Sequence, residues 1–163
     1  MRYKAIVSLV RSPEFPANVL DWRLCDSTGW SIAHEAARRG KLPAAFDQWE
    51  IADKNGWTVA HEAVYWNRLP DWFDRWYLAD KHGWTVAHEA ARQGNLPPDF
   101  DRWELSMPHG WSVAHAAAHW GNLPKEFCHW DIATNNGWTV ADEAAYKRIA
   151  KKGVIVMGPP RFK

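Results

Sequence analysis

The chain has 163 residues, 20 Lys and Arg against 19 Asp and Glu, a formal net charge of +1 and a pI near 7.9. That length suits one domain or one short solenoid, and the balance lacks the strongly basic signature of a dedicated DNA binder. No apolar run is long enough to span a bilayer, and Met1 to Arg11 holds only a short apolar stretch without a cleavage site, so neither a membrane anchor nor a signal peptide is expected. Two cysteines far apart, Cys25 and Cys128, read as reduced thiols of a cytoplasmic protein, or of a host cytoplasm if the chain is a secreted effector or phage protein. The anomaly is tryptophan, with 13 copies.

In chain order, residues 1–28 read as a degenerate N-terminal capping repeat. Tyr3 stands in a Trp slot, Val7 in a His slot and Phe15-Pro16 in a Leu-Pro slot. The clear pattern begins at Gly29-Trp30 and returns every 27 residues at Gly56-Trp57, Gly83-Trp84, Gly110-Trp111 and Gly137-Trp138. A second series with the same period runs Trp22, Trp49, Trp76, Trp103, Trp130. Residues 29–136 hold four full repeats, and 137–163 an atypical C-terminal capping repeat. Terminal repeats differ because they face water on one side.

Each repeat predicts two helical pieces. The first starts at a hydroxyl cap, Ser31, Thr58, Thr85, Ser112 or Thr139, which accepts from a free N–H of the first turn. Small residues such as Ala60, Ala63, Ala87 and Ala90 let helices approach closely. Gly40, Asn67, Gly94 and Gly121, which tolerate the left-handed conformation, end it. A second short helix is expected after the Leu-Pro pair. Its inner face would be Phe46/Trp49, Phe73/Trp76, Phe100/Trp103 and Phe127/Trp130.

The stretches Gly56-Trp-Thr-Val-Ala-His-Glu-Ala63 and Gly83-Trp-Thr-Val-Ala-His-Glu-Ala-Ala91, the latter closed by Gly94, resemble the ankyrin repeat, whose hallmark is Gly-x-Thr-Pro-Leu-His-x-Ala-Ala ending in Gly. The similarity covers nearly the whole chain. Two features depart from it. Ile32, Val59, Val86, Val113 and Val140 replace the family's proline, and each repeat is about six residues short after the second helix. The expected fold is all-α: a solenoid of helix-turn-helix ankyrin-like repeats with reduced or absent β-hairpins, 1–163 forming a single repeat domain.

Catalysis and metal binding have little to stand on. His34, His61, His88 and His115 recur with the repeat, which spaces them about 10 Å apart, one helix-packing distance, rather than converging them on a metal. Each sits three residues after the cap, where a neutral imidazole reaches back to the helix start, and the ankyrin resemblance implies the same structural role. Asp142 stands in that slot in the last copy. His61-Glu62 lacks the second His of a zinc-protease helix, since position 65 is Tyr65, and His115/His119 lack the Glu. No cofactor or metal is expected, and no enzyme.

The second Trp series reads as core, on the Phe-bearing face. For the Gly-Trp series two readings stay open: Trp57, Trp84, Trp111 and their equivalents line a binding face, as the resemblance implies, or they pack together where the hairpin is lost. The residues before each helix-ending Gly vary between copies, so stacking does not require them. They are Arg38-Arg39, Tyr65-Trp66, Arg92-Gln93, His119-Trp120 and Tyr146-Lys147. Arg, Tyr and Trp are the hot-spot residues of interfaces. The expected function is a non-catalytic protein-binding module whose concave face centres on Tyr65, Trp66, Arg92 and Trp120. The alternative is nucleic-acid binding by interleaved Arg and aromatic residues, against which the near-zero net charge counts.

Overall fold

The computed structural model describes residues 21–150 together with Val7, Ser8 and Val10. Tyr3, Phe15 and Pro16 of the first copy, and residues 151–163 of the last, lie outside the described residues. Contacts divide the chain into two compact units, Met1–Lys81 and His82–Lys163. The N-terminal unit carries α1 (Ile32–Arg39) and α2 (Val59–Tyr65); the C-terminal unit carries α3 (Val86–Gln93), α4 (Val113–Trp120) and α5 (Val140–Ala150). Regular structure among the described residues is helical, and none of their helices is long and apolar enough to cross a membrane. Among the described residues, β-pairing within each unit consists of isolated antiparallel bridges, Cys25↔Ser31 and Ala52↔Thr58 in the first, Ser106↔Ser112 and Ala133↔Thr139 in the second.

Each helix starts where its orphan N–H groups find acceptors. In α2, Val59 donates to the Ile51 carbonyl (2.9 Å), Ala60 to that of Trp49 (3.3 Å) and Glu62 to that of Thr58 (3.1 Å), while His61 N–H donates to Thr58 Oγ1 (3.3 Å). The turn before the helix is thus its cap. This also accounts for Val or Ile in the slot where the ankyrin hallmark has proline: Ile32, Val113 and Val140 likewise donate to Leu24, Leu105 and Ile132, and proline has no N–H to give. The helices end as their Gly and Asn residues require. Gly40 is left-handed (φ 66), and so is Asn67 (φ 52). Beyond Asn67, the Arg68 N–H closes on the Ala63 carbonyl at 2.8 Å. The glycine of the Gly-Trp pair has its own reason: Gly56 has φ 81, and a Cβ there would stand 2.7 Å from the Lys81 nitrogen of the following turn.

Among the described residues the second helix expected in each repeat is not formed, and these repeats carry one helix each rather than helix-turn-helix. After each Leu-Pro the chain makes two turns, at 44–45 and 49–50 and at equivalent positions in later copies. Phe46 donates to the Pro43 carbonyl (2.9 Å) and Ile51 to that of Gln48 (3.2 Å). The physical reason is that so short a helix cannot offset its nucleation cost, whereas the turns free the Trp49 and Ile51 carbonyls to cap α2.

The turns still deliver the aromatic face. In the N-terminal unit, edge-to-face contacts run Trp22–Phe46 (5.3 Å), Phe46–Trp49 (5.0 Å), Trp49–Phe73 (5.5 Å) and Phe73–Trp76 (5.2 Å). In the C-terminal unit they run Phe100–Trp103 (5.2 Å), Trp103–Phe127 (5.1 Å) and Phe127–Trp130 (5.1 Å). Each such pair adds about 0.5–1.5 kcal/mol beyond area burial. Trp49 and Trp103 are buried and Trp76 half-buried. Trp130, expected in the core, is 42% exposed: the slot equivalent to its next Phe is Val154, outside the described residues. At the other end, Val7 packs on the buried Val10, Ile32 and Ala36. Cys25 and Cys128 are both free and exposed, Cys128 in the turn segment rather than in a helix. Both thiols of the native chain are expected to react with a thiol reagent without denaturant; only one equivalent released would show a thiol to be covered or oxidised.

Candidate partner-binding surface

The repeating histidines are caps and staples. His34 Nδ1 accepts from the Ser31 backbone N–H (3.2 Å) and hydroxyl (2.7 Å). The proton therefore sits on Nε2, which donates to the Trp57 carbonyl, 23 residues on, at 2.9 Å. His88 and His115 reach the carbonyls of Trp111 and Trp138 in the same way, each at 3.0 Å. All four imidazoles are fully buried. Burial pushes His34 and His115 below their ordinary value, partly offset by the carbonyls they donate to. Asp142 performs the capping half of this role: its Oδ2 accepts from the Thr139 N–H (2.9 Å) and hydroxyl (2.7 Å). Among the described residues no three His, Cys, Asp or Glu side chains gather as metal ligands.

A row of buried glutamates escaped the sequence reading. Glu35, Glu62, Glu89 and Glu143 are each 7% exposed or less. Three of them hold Gly-Trp tryptophans in place. The indole N–H of Trp57 donates to Glu62 (3.1 Å), that of Trp84 to Glu89 (3.1 Å) and that of Trp138 to Glu143 (3.0 Å). The signal was present: a Glu stands five residues after each Gly-Trp tryptophan, directly after His in three copies and after Asp142 in the last, with Ala116 the exception. The rings of Trp57, Trp84 and Trp111 lie against the histidines of their own helices, 4.8, 5.0 and 5.2 Å away. All three are half-buried.

The same glutamates organise the helix ends. Burial raises the Glu62 carboxyl, an effect moderated by the indole N–H groups of Trp66 and Trp57. Trp66 Nε1 donates to it at 2.8 Å. In the same unit the Arg38 guanidinium lies 5.7 Å from the Trp66 ring centre, Arg39 pairs with Glu35 at 3.2 Å, and Tyr65 meets Trp66 edge-on. The C-terminal unit repeats the theme. Arg92 lies 5.8 Å from the Trp120 ring and pairs with Glu89 at 2.8 Å, and Gln93 donates to Glu89 at 2.9 Å. His119 and Lys147 form a separate link: His119 Nδ1 faces Glu143 at 2.6 Å, and Lys147 Nζ faces His119 Nε2 at 3.3 Å. Tyr146 lies against Trp138 at 6.4 Å. The predicted positions thus assemble, within each unit, into an Arg-over-Trp stack at a helix C-terminus, where a cation is favoured by the helix dipole. The chain matches no protein-family model and no curated protein, so the ankyrin-like pattern stands on the internal repeat alone.

Proposed function

We propose that this chain is an ankyrin-like solenoid, its hairpins reduced to single bridges, that binds another protein in the cytoplasm and catalyses nothing. The observation that carries the reading is the exposure of Trp66 (42%) and Trp120 (51%), each under an arginine. The equivalent slots of the other copies hold Arg39, Gln93 and Lys147, so stacking does not need an indole there. Trp and Arg supply most hot spots at protein interfaces. Arg39 and Arg92 are already ion-paired to Glu35 and Glu89, which favours a protein partner over nucleic acid, where unneutralised phosphates supply the affinity.

The double variant Trp66→Gln/Trp120→Gln is expected to keep a thermal midpoint within a few degrees of wild type. Its affinity for the partner captured from native cells is expected to fall by about 2 kcal/mol or more. A folded double variant that binds normally places the surface elsewhere. An affinity that collapses steeply with added salt assigns the nucleic-acid reading instead.

A further inference from the structure

In the C-terminal unit, the step from α3 to the next copy is closed by a side chain. Asn122 lies 3.2 Å from where a Cβ of Gly94 would stand, and its Nδ2 donates to the carbonyls of Ala91 (2.9 Å) and Arg92 (3.1 Å) at the end of α3. The N-terminal unit does the same with Arg68, whose guanidinium covers Gly40. One copy later no such plug stands among the described residues. The slot that holds Gly40, Asn67, Gly94 and Gly121 holds Arg148, and α5 runs on as a helix to Ala150 instead of turning back. Among the described residues nothing stands within 4 Å of a Gly121 Cβ. A cavity of about 250 Å³ opens there, lined by Ala118, His119, Leu123, Ala144, Lys147 and Arg148; at the preceding copy, with Asn122 in place, the corresponding cavity is about 100 Å³.

The chemistry of its walls is specific. Glu143 is fully buried, and its carboxylate is engaged by His119 Nδ1 and by the Trp138 indole N–H. With its Nδ1 proton committed to Glu143, His119 presents the Nε2 lone pair to Lys147 and holds that ammonium at the cavity wall. Arg148 forms no ion pair among the described residues. Two cations thus border a floor of Ala118, Leu123 and Ala144, and the one buried carboxylate nearby is already satisfied. We infer that this cavity is a binding site for a carboxylate carrying a short aliphatic group, the anion between Lys147 and Arg148 and the apolar body over Leu123. The last turn of α4 borders the cavity, and its negative dipole end opposes any anion, a dianion such as phosphate more strongly than a singly charged carboxylate. The site belongs to the C-terminal unit alone and stands whether or not Trp66 and Trp120 dock a partner.

Amide proton–nitrogen correlation spectra of the full chain, titrated with N-acetyl-leucine at constant ionic strength, read the site directly. Saturable shifts are expected at Gly121, Leu123 and Lys147. N-acetyl-leucinamide, which lacks the charge, and inorganic phosphate are each expected to bind at least about tenfold more weakly. Arg148→Gln is expected to weaken the carboxylate by a similar factor, as is Lys147→Met. The proposal is overturned if no saturable shift occurs at these residues, if the amide or phosphate binds as tightly, or if Arg148→Gln leaves the titration unchanged in a folded chain.

Discussion

Trp49→Ala is expected to destabilise the chain by about 3–5 kcal/mol, the range for emptying a large aromatic from a packed core. Trp49 is 3% exposed and meets both Phe46 and Phe73 edge-on, so truncation opens a cavity that two neighbouring turns cannot close without breaking the carbonyl contacts that cap α2. Trp49→Phe is expected to cost less. It keeps an aromatic between the two Phe rings and removes an indole N–H that has no acceptor among the described residues. Trp66→Gln provides the contrast, with a change of only a few tenths of a kcal/mol: Gln93, in the same slot of α3, already donates to its buried glutamate at 2.9 Å. Urea unfolding followed by far-ultraviolet circular dichroism measures all three. A Trp49→Ala chain within about 1 kcal/mol of wild type would refute the aromatic face as the core.

Acid is expected to weaken the fold well above the carboxylate range, through the histidine staples. The ordinary value for His34 and His115 is 6.5, and burial holds both below it in the folded chain. The unfolded chain therefore takes up protons first as pH falls. The stability these groups contribute is fully present above about pH 6.5 and is lost as pH drops through their folded values, at up to about 1.4 kcal/mol per pH unit for each proton. Glu62 works in the opposite sense. Its folded value is raised above 4.5, so its contribution is present at low pH and lost as pH rises through that folded value. The histidine effect is thus read most cleanly just below pH 6.5. His34→Gln should be less stable at neutral pH and show a flatter decline, by up to one proton, between about pH 6.5 and about pH 5.5. Stability that stays level across that interval in the wild-type chain would show that the imidazoles are not held neutral by burial.

Much of this architecture was legible because it is written in short-range chemistry. Ser31, Thr58, Thr85, Ser112 and Thr139 as helix starts, with His or Asp three residues later, need only the spacing of one helical turn. The left-handed ends at Gly40, Asn67, Gly94 and Gly121 follow from which residues tolerate positive φ. The 27-residue phase repeated these signals from copy to copy, apart from the degenerate first copy and the missing Gly or Asn at Arg148 in the last. The second helix failed on the same local scale. The Phe and Trp spacing suits a helix face equally well when two turns present it, and the pattern cannot tell the two apart when the segment is this short.

Sequence alone therefore determined the repeat, the helix starts and ends, and which positions vary freely from copy to copy. Tertiary structure decided what joins residues far apart in the chain: His34 to the Trp57 carbonyl, Arg38 over Trp66 and Arg92 over Trp120, and the His119–Glu143–Lys147 link. It also decided that Glu35, Glu62, Glu89 and Glu143 are buried, because their carboxylates find inside the fold the hydrogen-bond donors that exposed glutamates find in water. Local signals fix where a backbone turns, since the groups concerned lie within a few residues of one another. The partners of a side chain more than 20 residues away depend on how the copies stack, and spacing along the chain does not record that.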